Sequence, residues 1–210
     1  MNTSLLLRAI PAISEGAMTL GEFAKASGLG RKVAMDVMRY LTKNEIGHMD
    51  HQNVTFDISD KINASLLALR MGADAEDVSL LLHWKDFELL ATNVLDAAGY
   101  TTFHGFRLKK PRIEIDVVAI KEGTTLLVDC KHWKRSSPSV LEKFAEMQVN
   151  RAKAFLRAKS EVRTAVPLIL TLHSESTTLA NGVPVVPITK FRSFLNELSG
   201  YLDDIRIVRN

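Results

Sequence analysis

Apolar positions along the chain follow two regimes. Over residues 1–58 they recur mostly at helical spacing and end in two short extended pieces. The spacing predicts a helix from Leu20 to Ser27, with Thr19 as N-cap and Glu22 three residues on, a capping box, and Gly28 as its stop. A turn is expected to end near Gly16. A second helix is predicted over about Arg31–Lys43, where Val33, Val37, Met38 and Leu41 are apolar. Ile46–Met49 and Val54–Ile58 read as strands around a turn at Asp50–Asn53. Residues 59–83 read as a helical connector, with apolar surface from Leu66, Leu67, Leu69 and Met71.

From Trp84 the pattern changes. A helix is predicted to Ala98, stopped by Gly99. Strand-like runs follow at Tyr100–Leu108, Arg112–Ile120 and Thr125–Lys131, then a long helix over Val140–Lys159 after Pro138. Further strands are expected at Thr164–Thr171 and Val183–Pro187, a helix at Lys190–Leu198, and a last strand at Ile205–Val208. Helix, three strands, helix, strand describes an α/β domain with a mixed sheet. The expected organisation is a small helical domain with a hairpin (1–58), the connector (59–83) and the α/β domain (84–210).

Composition narrows the class. With 210 residues and 46% hydrophobic side chains, there is ample material for cores, so disorder is excluded. No run approaches the ~18 apolar residues of a membrane span. The short apolar stretch after the N-terminus has no basic leader, so no signal peptide is expected and the cytoplasm is the default. One cysteine excludes a disulfide framework and most cysteine-rich zinc sites. Net charge is only +3, but residues 107–159 carry 13 basic side chains against 6 acidic ones, a hint of a polyanionic partner. Residues 1–58 are balanced, 6 against 6.

Polar residues that interrupt apolar patterns carry the chemistry. Glu88 shares a helical stripe with Trp84, Ala91 and Leu95, a costly place for a carboxylate. Asp116 lies inside the strand IEIDVVAI, where alternation puts it with Val118 and Ile120 and puts Ile115 on the other face. Asp129 lies inside LLVDCK, with Leu127 and Lys131 on its face. The connection Lys121-Glu122-Gly123-Thr124 suits a two-residue type I′ hairpin loop. That register sets Asp116 opposite Asp129 and Glu114 opposite Lys131. Opposed carboxylates repel, and a hard divalent cation such as Mg²⁺ removes the conflict. Lys131, about 6.6 Å along the strand from Asp129, can reach a water or phosphate held there. A metal, an activated water and a cation for developing negative charge are what phosphodiester hydrolysis needs.

Two resemblances follow. Small residues where two helices approach (Ala24, Gly28, Ala34), with Phe23, Leu29, Val33 and Val37 apolar, resemble a helix-turn-helix, and the hairpin makes the domain similar to a winged helix. That resemblance implies DNA contact through the second helix, which begins Gly30-Arg31-Lys32. A packing or dimerisation domain is the alternative. In the second half, WKDFELLATNVLDAAGY, IEIDVVAI and LLVDCKHW resemble the PD-(D/E)XK nuclease superfamily, in its Mrr-type restriction endonuclease branch. The resemblance implies a restriction-endonuclease-like mixed sheet flanked by helices. It implies Asp116 and Asp129 as metal-binding carboxylates, the Cys130 backbone carbonyl as a further ligand and Lys131 as the residue that orients water and stabilises the transition state. Glu88 would support the metal directly or through water, and Gln148 matches a glutamine that many relatives carry on the next helix. Two departures stand out: Ile115, not proline, precedes Asp116, and the second acid is Asp rather than Glu or Gln.

The implied activity is a Mg²⁺-dependent DNA endonuclease, with Mn²⁺ as a substitute. Two alternatives stay open: a structure-specific resolvase of branched DNA, acting as a homodimer, and a DNA-binding regulator with an inactive nuclease fold. Lys109, Lys110 and Arg112, with Arg107, and Lys134 and Arg135 beyond the motif, are expected to track a phosphate backbone. His132 is expected to be structural or solvent-facing, and Trp133 either packs or forms a lip of the groove. Arg151, Lys153, Arg157 and Lys159 read as the solvated side of a helix. Cys130 reads as a small buried residue.

Overall fold

The Thr19 hydroxyl accepts the Glu22 N–H (3.2 Å) and the Glu22 carboxylate accepts the Thr19 N–H (2.7 Å), forming the expected capping box. Those bonds hold the Glu22 carboxyl below its usual range. They start α2 (Leu20–Ser27), which follows α1 (Thr3–Ala9) and β1 (Gly16–Thr19). Gly28 ends α2 at φ +62°, a conformation that glycine adopts without penalty. After α3 (Arg31–Lys43), β2 (His48–Asp50) and β3 (Asn53–Phe56) complete a sheet of order β1-β3-β2. β1 escaped the sequence pattern because its four residues carry no buried position.

The computed structural model describes residues 1–131, 136–172 and 176–210, and divides into two units, Met1–His83 and Trp84–Asn210. In the first, Leu6, Phe23, Val37, Met38, Leu41 and Phe56 form the core. Residues 59–83, expected to be a connector, form α4 (Asp60–Arg70) and α5 (Ala75–Leu81). These helices add Ala64, Ala68 and Val78 to the same core.

The second unit opens with α6 (Trp84–Ala97) and continues with β4 (Thr101–Leu108), β5 (Ile113–Lys121) and β6 (Thr124–Lys131). Then come α7 (Pro138–Ala158), β7 (Thr164–Thr171), β8 (Leu179–Ala180), β9 (Val183–Pro187), α8 (Ile188–Tyr201) and β10 (Val208–Arg209). α7 starts two residues before the predicted position because Ser137 is the N-cap and Pro138 fills the first turn, where its missing N–H costs nothing. The sheet runs β4-β5-β6-β7-β9-β8, with β10 beside β7. β4, β5 and β6 pair antiparallel, and β6, β7 and β9 pair parallel, so the sheet is mixed. α7 bridges the parallel pair β6 and β7, burying Leu141, Ala145, Ala152 and Phe155 against Ile115, Val118, Leu127 and Ile169. Strand alternation turns Val117, Leu126, Val128 and Leu168 to the opposite face, the side of α6.

Among the described residues no helix is long and apolar enough to cross a membrane. Trp84, expected on a core-facing stripe, is instead 47% exposed at the start of its helix, while Ala91 and Leu95 are buried.

Candidate active site

The β5–β6 hairpin forms as its loop dictates. Glu122 (φ +50°) and Gly123 (φ +80°) are both left-handed, as a type I′ turn requires. Pairing then runs from Lys121↔Thr124 to Val117↔Val128, the predicted register. There it stops. One residue further on, Asp116 and Asp129 do not continue the ladder; Asp116 Oδ2 instead accepts the Cys130 N–H at 2.7 Å. The β4–β5 ladder is interrupted at the same point, where Gly105 (φ +60°) would stand opposite Asp116.

Asp116 therefore sits at a break in both ladders, and the facing of β5 changes across it. Ile115 and Val118, three residues apart, pack into one core under α7. Simple alternation had placed them on opposite faces; the distortion at Asp116 is the reason it fails. The expected Glu114–Lys131 pairing also fails. Glu114 lies opposite Arg107 and accepts from its guanidinium at 2.9 Å, while Lys131 lies beyond the end of the ladder and opposite Thr171 of β7.

β6 carries the centre of the site. Asp129 is 3% exposed, and each of its oxygens has a cation: Lys131 Nζ at 2.6 Å from Oδ2, and Arg151 Nη1 at 2.6 Å from Oδ1. Lys131 Nζ also lies 4.9 Å from the centre of the Phe144 ring of α7. Gln148, fully buried on α7, donates from Nε2 to the Leu127 carbonyl at 2.7 Å and accepts from Arg151 at 3.2 Å. The glutamine thus ties α7 to β6 and holds the Arg151 guanidinium in place. Arg151, expected on the solvated side of the helix, instead turns toward the sheet: its spacing of three residues from the inward Gln148 puts both on one side of the helix.

Glu88 is buried on α6, and its carboxylate contacts His104 Nε2 of β4 at 2.9 Å. His104 was missed, because its partner lies on a separate element 16 residues earlier and no local pattern links them. Burial, then the charge of Asp116, pushes the Glu88 carboxyl above its usual range, and His104 opposes this. Burial, then the Asp129 charge, raises Asp116 in the same way; the Cys130 N–H, Lys131 and Arg151 pull it back. Burial and the surrounding acids push the Cys130 thiol well up, which fits an inert side chain.

The donor chemistry suits a hard divalent cation: three carboxylates coupled by charge, with the Cys130 backbone, next to Asp129, bonded to Asp116. Among the described residues, no three Asp, Glu, His or Cys side chains are already gathered into a cation cage. Both Asp129 oxygens are engaged by the protein's own cations.

The basic residues divide by position. Lys109, Lys110 and Arg112 are exposed around the tip of the β4–β5 hairpin. Asp116 lies four residues along β5 from Arg112, about 13 Å, so that tip projects from the Asp116 end of the sheet. Arg31 and Lys32 are exposed at the start of α3, in the other unit. Lys153 and Arg157 are exposed on α7, as expected. His132, Trp133, Lys134 and Arg135 lie outside the described residues.

Two acids and a lysine thus lie on adjoining strands, backed by a helix glutamine, in a mixed sheet flanked by helices. Residues 84–179 match the family described as the nuclease-related domain, NERD. An uncharacterized protein of Archaeoglobus fulgidus is 30% identical over 125 residues, which are 58% of this chain and 95% of that one. Residues 84–179 thus carry a nuclease-related domain. Among solved structures, the small subunit of the heterodimeric restriction endonuclease R.BspD6I is similar at a TM-score of 0.36 and 16% identity, covering 54% of this chain and 68% of that one. Protein VC1899 from Vibrio cholerae is similar at 0.36 and 12% identity, covering 96% of this chain and 51% of that one.

Proposed function

We propose that the second unit is a Mg²⁺-dependent DNA endonuclease and that the first unit is a winged-helix-like module adding DNA affinity. The observation that carries the reading is the double ladder break at Asp116. It presents that carboxylate beside the Cys130 backbone, one residue from Asp129 and within the electrostatic reach of Glu88. A run of buried acids coupled by charge is unfavourable on its own and useful at a metal centre.

Asp116, Asp129 and the Cys130 carbonyl would hold Mg²⁺ or Mn²⁺, and the ion would supply Lewis acidity toward a phosphodiester and its attacking water. Lys131, already turned toward Asp129, orients that water and offsets the negative charge that develops on the phosphorane. Glu88, held by His104, orders water on the Asp116 side. Gln148 keeps α7 and the strand carrying Asp129 and Lys131 in register. Lys109, Lys110 and Arg112 contact backbone phosphates beside the cut, and Arg31 and Lys32 do so from the first unit.

The test is cleavage of supercoiled plasmid, linear duplex and a four-way junction by the full chain, with Mg²⁺ or with EDTA. Cleavage only with the metal, reduced at least a hundredfold in Asp129→Asn and in Lys131→Met, is expected. Undiminished cleavage by either variant would sink the assignment. Cleavage confined to the junction would move the reading to a resolvase, and metal binding without any cleavage to a DNA-binding regulator.

A further inference from the structure

We infer that Arg151 is the site's resident cation. It neutralises Asp129 in the metal-free protein and passes to a substrate phosphate when a divalent ion takes its place. The inference rests on the metal-site reading above.

Asp129 has a cationic partner at 2.6 Å on each oxygen, so a divalent ion binding there meets two fixed positive charges, and the departure of one relieves that repulsion. The two are not equally placed. Lys131 is 14% exposed, rises from the same strand and lies against the Phe144 ring. Arg151 is 25% exposed, extends from a different element on a long flexible stem, and reaches Asp129 through a single Nη1. Arg151 is therefore the partner that moves. Gln148 fixes where it waits: its Oε1 accepts Arg151 Nη1, while its Nε2 is anchored to β6. Once released, the guanidinium stands at the mouth of the site as a planar fork that matches a phosphate better than an ammonium does. Metal and DNA then help each other bind, because the ion frees the group that grips the phosphate.

The test uses the full chain and Mg²⁺ alone. Calorimetric titration of Arg151→Gln should show Mg²⁺ bound about fivefold more tightly than by the natural protein, the fold-change of one partly exposed ion pair. Thermal unfolding establishes that the variant is folded. In a second arm, duplex DNA affinity is measured with Ca²⁺ and with EDTA. The enhancement by the ion should shrink at least threefold in Arg151→Gln. Arg151→Lys, which keeps the charge but loses the fork, should show the same loss of enhancement with near-natural Mg²⁺ affinity. A folded Arg151→Gln with unchanged or weaker Mg²⁺ affinity, or with undiminished enhancement, overturns the inference. If that variant does not fold, an Arg151→Lys with full enhancement overturns it. Asp129→Asn separates the two levels: Mg²⁺ affinity unaffected by that change refutes the metal site itself, whereas an effect of Asp129→Asn with none of Arg151→Gln refutes only the role of Arg151.

Discussion

Gln148→Ala removes a buried amide that makes two hydrogen bonds, to the Leu127 carbonyl at 2.7 Å and from Arg151 at 3.2 Å. A typical hydrogen bond contributes about 1 kcal/mol net. The first bond is well placed and fully buried; the second is longer and reaches a partly exposed guanidinium, so it counts for less. Truncating a fully buried side chain on a helix that covers the sheet also leaves a cavity, adding about 1 kcal/mol. Gln148→Ala should therefore destabilise the second unit by roughly 2–3 kcal/mol. Gln148→Leu keeps the volume and loses only the polar bonds, so it should cost roughly 1–2 kcal/mol. Both tryptophans, Trp84 and Trp133, fall within residues 84–210, so their fluorescence during urea unfolding reports this unit. If both variants lie within about 0.5 kcal/mol of the natural chain, like ordinary surface changes, Gln148 is not the tie between α7 and β6 and the reasoning fails.

Three further outcomes are expected. Asp116→Asn should stabilise the metal-free protein near neutral pH. The folded-state pKa of Asp116 is raised, so its charged form weakens the fold above that pKa, and the gain should fade as pH falls through the raised value and be gone below ~3.9, the ordinary carboxylate value. A gain that persists at low pH in thermal melts would contradict this. Changing Lys109, Lys110 and Arg112 together to alanine should weaken duplex binding without sequence preference and flatten the log–log salt slope by about 2–3, measured by fluorescence anisotropy; an unchanged slope would remove the hairpin tip from the interface. Gly123→Ala, at φ +80° with open space around its missing Cβ, should cost about 1 kcal/mol from backbone strain alone; a neutral result in the same urea assay would mean that the turn relaxes.

The hairpin register was legible from Lys121↔Thr124 to Val117↔Val128, because one local device, a two-residue loop with Gly123 second, fixes those pairs. The facing of Asp116 was not. It depends on Gly105, a neighbour on β4, which breaks the ladder from the other side, and a single strand's alternation contains no trace of that. Arg151 was half visible. Gln148 shares an apolar stripe with Leu141, Phe144, Ala152 and Phe155, and the residue three positions on lies on the same side of the helix. His104 was out of reach, since its reason for being on β4 is a glutamate on α6. Local chemistry reads from sequence; which face a site residue meets depends on where neighbouring strands stop pairing.

The central claim is that Asp116, Asp129 and the Cys130 carbonyl form one divalent-cation site. Anomalous diffraction from crystals soaked in Mn²⁺ tests it directly. The prediction is a single strong peak about 2.1 Å from an oxygen of each of the three groups. No peak at saturating Mn²⁺ with Asp129 still paired to Arg151, or a peak that leaves out Asp116 or Asp129, would contradict it.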